Sequence, residues 1–119
     1  MRRSSKPKHG AGRRSRSAGL AAVRARRLRG AILELLDEQS PERVDADVLL
    51  GVLERLHYDV TARELAAELD YLRQRSYVEF ELVQTRNRRR LPRLLRIAIT
   101  DRGADLVEAT LSDPGVDLE

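Results

Sequence analysis

Arginine is concentrated in one short stretch of the chain. Six arginines fall between residues 86 and 96, where no aspartate or glutamate occurs. A guanidinium group stays charged at physiological pH and donates paired hydrogen bonds to carboxylates and phosphates. The chemistry that this stretch offers is therefore the binding of anions. The six residues are Arg86, Arg88, Arg89, Arg90, Arg93 and Arg96.

A second concentration of positive charge lies at the N-terminus. Residues 1–29 hold eleven Lys or Arg residues and no acid, whereas residues 30–119 hold twelve Lys or Arg residues against nineteen acids. The net charge of +4 thus conceals a polycation joined to an acidic body. Such a split is expected where a polyanion is contacted at chosen places. The basic residues nearest the N-terminus are Arg2, Arg3, Lys6, Lys8, Arg13, Arg14 and Arg16.

Residues suited to catalysis are scarce. The chain has no cysteine, and its two histidines are His9 in the basic segment and His57, which we interpret as the last residue of a helix. Without cysteine there is no thiolate zinc site, disulfide or cysteine nucleophile. The acids are spread over predicted helix surfaces, and no glycine-rich phosphate loop occurs. We therefore predict that the protein is not an enzyme and uses neither a cofactor nor a metal.

Length and composition predict one folded domain with a tail at each end. Residues 1–19 lack apolar periodicity and are predicted to form a disordered basic arm, residues 20–112 the domain, and residues 113–119 a C-terminal tail. A mitochondrial transit peptide is the alternative interpretation of the arm, because it shares the Arg- and Ser-rich, acid-free composition. No apolar run reaches the ~18 residues of a membrane span. We expect a soluble, cytoplasmic protein.

Apolar spacing predicts two helices at the start of the domain. The first begins at about Leu20, carries Gly30, which weakens it slightly, and ends at Ser40-Pro41. The second follows Asp45, whose side chain can cap it. A hydrophobic staple between Val44 and Leu49 accompanies that cap.

The third helix has the strongest local signal. Thr61 and Glu64 have the spacing of a capping box, with Val60 and Leu65 at the staple positions. The helix joins the second through a short turn, which is a helix-turn-helix arrangement. At 100° per residue, the face opposite the apolar stripe carries Arg63, Ala67, Asp70, Tyr71 and Gln74.

The period then changes from 3.6 to 2, which predicts a β-hairpin around the arginine stretch. Val78, Phe80 and Leu82 alternate with glutamates in the first strand. Leu95, Ile97 and Ile99 alternate in the second strand. A final helix capped by Thr100 runs through Leu111, and Asp113-Pro114-Gly115 ends it.

This order of elements resembles the winged-helix family over residues 27–111. The run Ile99-Thr100-Asp101-Arg102-Gly103 and the terminal Asp113-Pro114-Gly115-Val116 are similar to small winged-helix proteins of Mu-like phages and prophages. The resemblance implies an α+β, mainly helical fold. It also implies that residues 61–75 enter the major groove of double-stranded DNA and that residues 84–93 form a wing on the backbone or in the minor groove.

From this resemblance we expect a DNA-binding protein, a phage or prophage transcriptional regulator. Arg63 and Gln74 have side chains that read guanine or adenine edges, and Ala67 lies on the same face. Tyr71 contacts a phosphate or a base, or it covers an edge of the domain itself. The helix has no net charge, and Glu68 or Asp70 can pair along it with arginines. The wing and arm arginines contact phosphates.

The sequence leaves a second function open. Winged helices also serve as docking domains, and the acidic body suits a basic protein partner, with the basic tail then binding nucleic acid without sequence preference. A homodimer through the first or last helix is a further alternative, with Leu20, Leu33 and Leu111 as candidate contacts. A reader of DNA sequence prefers its sites by ~10³ or more, whereas a tethered polycation binds all DNA alike.

Overall fold

The computed structural model describes residues 5–87 and 90–118, with side chains from residue 19 onwards. The described part contains four helices and one antiparallel two-stranded hairpin, which confirms the predicted mainly helical α+β class and the order of elements. The elements are α1 (Ser5–Gln39), α2 (Ala46–Arg55), α3 (Ala62–Gln74), β1 (Val78–Val83), β2 (Arg93–Ile99) and α4 (Asp101–Val107). None of the described helices has a stretch long and apolar enough to cross a membrane.

Helix α1 begins at Ser5, whereas the sequence predicts a start near Leu20 and a disordered arm before it. Alanine, arginine and lysine are favourable helix residues, and each residue added to a formed helix gains one backbone hydrogen bond. Pro7 falls in the first turn, where its missing N–H breaks no helical hydrogen bond. The basic arm is therefore helical from Ser5 onwards, and Arg2 and Arg3 lie outside the described residues.

One apolar core joins all of these elements. Each of its leucine or isoleucine side chains stabilises the fold by about 1.5–3 kcal/mol relative to exposure. Among the described residues, no polar or charged residue is buried within it. The best-buried members are Ile32, Leu33 and Leu36 of α1, Leu53 of α2, Leu65, Leu69 and Leu72 of α3, Val78 and Ile97 of the hairpin, and Leu106 of α4.

A β-bulge at Arg96 interrupts the alternation predicted for the second strand. Glu79 pairs with Ala98 and Glu81 with Leu95, so two residues of β2 oppose one residue of β1. Arg96 has φ 54°, in the left-handed region. As a result Leu94 is buried, while the predicted inward Leu95 is only half-buried.

The segment before α2 holds this bulge. Val44 and Ile97 exchange two backbone hydrogen bonds of 3.0 and 2.8 Å. The Asp45 carboxylate accepts a hydrogen bond from the Arg96 amide at 3.0 Å and caps α2 with no side-chain hydrogen bond. The prediction that the Asp45 side chain caps α2 is therefore wrong. The carboxylate instead binds the Arg96 amide, which the bulge leaves unpaired.

The C-terminal segment packs on the domain. Helix α4 is capped by Thr100 as predicted, but it ends at Val107 and not at Leu111. The chain then returns to α1, where the Asp117 amide donates to the Arg26 carbonyl at 3.0 Å and Val116 is buried. Residues 113–118 are thus part of the packed structure and do not form the separate tail that the sequence predicts.

Candidate nucleic-acid interface

Helix α3 presents its predicted outer face to solvent. The capping box is confirmed, since Thr61 Oγ1 accepts from the Glu64 amide at 3.1 Å and Glu64 Oε1 accepts from the Thr61 amide at 3.3 Å. Leu65, Leu69 and Leu72 face the core. Arg63, Ala67 and Gln74 are exposed on the opposite side. We call these three residues and Asp70 the outer face of α3.

The acids on one flank of α3 are paired with arginines of α1. Arg24 donates to Glu64, and Arg29 contacts Glu68 at 3.2 Å. The hydrogen bond from Arg24, together with the one from the Thr61 amide, lowers the pKa of Glu64. Glu68 therefore pairs with α1 and not along its own helix. Both carboxylates are directed at α1, so they do not add negative charge to the outer face.

On the outer face itself, one cation lies free. Arg63 forms no ion pair or hydrogen bond with another described residue. Asp70 accepts from Arg73 at 2.9 Å, which confirms pairing along the helix, and from the Gln74 amide nitrogen at 2.7 Å. One N–H of the Gln74 amide is therefore engaged by Asp70, whereas no described residue engages Arg63.

Tyr71 does not lie on the outer face of α3, but packs between an arginine of α1 and the arginine that follows α3. Its half-buried ring lies between two guanidinium groups, with Arg29 at 3.5 Å and Arg75 at 4.3 Å from the ring centroid. Both distances are within the range of cation–π attraction. Of the two roles that the sequence allows for Tyr71, its position fits the one in which it covers the edge of the domain.

The described arginines of the wing, Arg86, Arg90 and Arg93, are exposed to solvent. They form no ion pair with a described residue, while Arg88 and Arg89 lie outside the described residues. The tip is closed by a 3.0 Å hydrogen bond from the Arg90 amide to the Asn87 carbonyl. These guanidinium groups are available to an anion.

A pocket of about 240 Å³ locates the wing relative to α3. Ala62 and Ala66 of α3 line it together with Leu91, Pro92 and Arg93 at the base of the wing. The base of the wing therefore lies beside the N-terminal half of α3. Arg93 therefore lies near the start of α3, the end of the helix that carries Arg63.

The basic N-terminal block is divided by the fold. Arg24, Arg27 and Arg29 pair with acids of the body, Arg27 with Asp117 at 3.8 Å. Arg26 is half-buried in the packed part of α1, and the other seven basic residues precede that part, with a helical backbone from Ser5. They are Lys6, Lys8, Arg13, Arg14 and Arg16, whose side chains lie outside the description, with Arg2 and Arg3 before them.

Sequence reasoning missed a cluster at the other end of α3. Arg102, in the first turn of α4, donates from Nε to the Arg75 carbonyl at 3.2 Å, and Arg75 approaches Asp113 at 3.8 Å. The Asp113 carboxylate accepts from the Tyr77 hydroxyl at 2.5 Å. Burial, then the hydrogen bond to Asp113, raises the pKa of Tyr77. No sequence spacing signals the cluster, because the whole hairpin separates its parts.

The three candidate dimer contacts differ in how far they are exposed to solvent. Leu33 is completely buried in the core, which excludes it as a contact, and Leu111 is half-buried against the same core. Leu20 is 74% exposed. The described residues contain no group of acids and histidines arranged to hold a metal ion.

Comparison with known proteins leaves this geometry as the basis for assigning a function. No protein-family model, no curated protein and no solved structure matches the chain.

Proposed function

We propose that the protein is a winged-helix DNA-binding protein that acts as a transcriptional regulator of the phage or prophage type. The outer face of α3 enters the major groove, and the wing and the basic N-terminal segment neutralise phosphates. The observation that carries the proposal is the arrangement of unpaired arginines. Arg93 at the base of the wing lies beside the end of α3 where Arg63 is free, Arg86 and Arg90 are exposed on the same wing, and Glu64 and Glu68 are taken up by α1.

The charge balance of α3 supports this assignment. Counted along the sequence, its cations and acids cancel, which disfavours a helix in contact with a polyanion. In the fold, Arg24 and Arg29 neutralise Glu64 and Glu68 at their own positions. The field at the outer face is therefore more positive than the sequence of α3 suggests.

The wing is tested by replacing four arginines in the full chain, R86A/R88A/R89A/R90A. Each phosphate contact contributes about 0.9 to the slope of log K against log salt on duplex DNA. We expect the variant to bind every duplex more weakly and to lower that slope by about two or more. Fluorescence anisotropy with random and genomic duplexes at about 50 and 200 mM salt measures both quantities.

The control removes two arginines from the helical body, through R43A and R55A, and its loss of affinity is compared with that of the wing variant per charge removed. Both arginines are exposed and lie outside the wing and α3. Equal losses per charge removed in the control and the wing variant would show unspecific attraction by net charge. Unchanged binding by the wing variant would remove the wing from the proposal.

A protein-docking function is the second candidate, because apolar side chains are exposed on one side of the domain. Leu20, Val23 and Leu56 are 74%, 37% and 50% exposed, and Leu20 and Val23 line one pocket with Tyr58. Docking is favoured if the chain shows no preference among duplex sequences while L20E or L56E abolishes association with a protein partner.

A further inference from the structure

An open cleft of about 890 Å³ lies at the C-terminal end of α3. Arg75 and Arg102 line it together with Gln74, Ser76 and Ser112. Among the described residues that line the cleft, Asp113 is the only acid. The cleft therefore combines two guanidinium groups with hydroxyl groups, which are the donors that proteins direct at phosphate oxygens.

Asp113, the acid of this cleft, already accepts hydrogen bonds from Tyr77 and Gly115. The Asp113 side chain is only 8% exposed, and its two oxygens accept from the Tyr77 hydroxyl and from the Gly115 amide at 2.7 Å. Arg75 is 48% exposed, and its 3.8 Å approach to Asp113 is longer than a hydrogen bond. Arg102 is exposed and forms no ion pair with a described acid. Both guanidinium groups can therefore take an external anion.

Backbone contacts fix the two arginines side by side. The Thr100 amide donates to the Tyr77 carbonyl at 3.0 Å, and its hydroxyl donates to the Ser76 carbonyl. These bonds hold the start of α4 against the turn that ends α3. Arg102 Nε then reaches the Arg75 carbonyl at 3.2 Å, which partly orders this side chain before an anion binds.

The cleft and the wing lie at opposite ends of the same helix. The wing base meets α3 at Ala62 and Ala66, whereas the cleft begins at Gln74 and Arg75. At about 1.5 Å per residue these ends are about 20 Å apart. The major groove is about 12 Å wide and has a phosphate backbone on each side, so a helix lying in it meets phosphates at both ends.

We propose that Arg75 and Arg102 form a second phosphate clamp, which holds the DNA backbone across the major groove from the wing. This inference rests on the proposed DNA binding and adds a contact that the wing and the arm do not supply. Asp113 lies next to Arg75 and weakens the local positive field.

The test compares R75A/R102A with D113N in the full chain. Loss of two phosphate contacts should lower the salt slope by about two and the affinity about tenfold at about 0.1 M salt. D113N removes the only acid of the cleft, so it should raise the affinity about two- to threefold. Anisotropy titrations with a labelled random duplex give both values, and circular dichroism shows that each variant is folded.

R55A is the matched control, because Arg55 is exposed at the end of α2 and forms no ion pair with a described residue. If R75A/R102A reduces affinity no more per charge removed than R55A does, or if D113N leaves affinity unchanged, the clamp is wrong while DNA binding stands. If the wild-type chain binds no duplex, both proposals fail. Competition by inorganic phosphate at constant ionic strength would instead identify a site for a free anion and overturn the backbone assignment.

Discussion

Asp113 joins the C-terminal segment to the turn after α3. Burial alone would raise the pKa of Asp113, but the hydrogen bonds from Tyr77 and the Gly115 amide and the charges of Arg75 and Arg102 outweigh it and lower the pKa. The folded state therefore stabilises the charged carboxylate. One residue thus contributes both to stability and to the charge of the proposed clamp.

The lowered pKa of Asp113 makes the stability of the protein depend on pH in acid. Because the folded pKa lies below the unfolded value of about 3.9, the stabilisation by Asp113 is complete above that value and is lost as the pH falls through the folded pKa. We expect D113N to be less stable than the wild type by about 1–2 kcal/mol at neutral pH, from weaker hydrogen bonds to an amide. The difference should shrink below about pH 4.

Urea unfolding at several pH values measures this difference. D105N is the control, because Asp105 is exposed and its carboxylate has no partner among the described residues. A difference between the wild type and D113N that is the same in acid as at neutral pH would show that the charge of Asp113 adds nothing to stability.

Residues with partners close in sequence are the ones that the sequence predicts. Thr61 and Glu64 are three positions apart, and their capping box is found where the pattern places it. Arg29 and Glu68 are 39 positions apart, so their pairing depends on how α1 docks on α3. Arg102 reaches the end of α3 only after the hairpin has folded back, and no local pattern contains that information.

Three helices end in the same backbone motif without glycine. After α2, α3 and α4, the residue in the left-handed region is His57, Ser76 and Ala109, with φ of 69°, 66° and 65°. In each case the following amide bonds five residues back, as in a Schellman motif. His57 therefore lies just beyond α2 and is not its last residue. Left-handed backbone is strained for these residues and free for glycine.

We therefore expect S76G and A109G each to stabilise the domain by about 0.5–1 kcal/mol, because glycine relieves the strain at a cap that already exists. Urea unfolding measures the change. A67G, at an exposed position inside α3, is the control and should destabilise by about 1 kcal/mol. Destabilisation by both cap variants would mean that the left-handed residues are held by side-chain contacts.

Element order follows from apolar periodicity, but element ends do not. The end of α4 at Val107 depends on the left-handed Ala109, and alanine carries no signal for a helix end. The start of α1 at Ser5 depends on propagation from the packed half of the helix. The bulge at Arg96 depends on Asp45, which is supplied from another part of the chain.

At the scale of the whole molecule, the C-terminal segment closes the domain over α1. Arg29 donates to the Gly115 carbonyl at 3.1 Å, Val116 is buried, and the Asp117 amide bonds to α1. This crossing requires Gly30. A Cβ there would overlap the Asp117 carbonyl group, so the glycine that weakens α1 by propensity admits the segment that covers it.

Because the C-terminal segment passes over Gly30, substituting this glycine by alanine should destabilise the protein, although the same substitution inside a helix usually stabilises it. By propensity alone, Gly to Ala inside a helix stabilises by about 1 kcal/mol, and G51A in α2 should do so because nothing lies within 4 Å of the added Cβ. G30A should instead destabilise by about 1–2 kcal/mol, since overpacking against backbone outweighs propensity. Urea unfolding of the two variants measures both signs. If G30A stabilises as much as G51A, residues 113–118 do not pack on α1. In that case the cleft around Asp113 would lose one of its walls, and the proposed clamp would be reduced to Arg75 and Arg102 on an open surface.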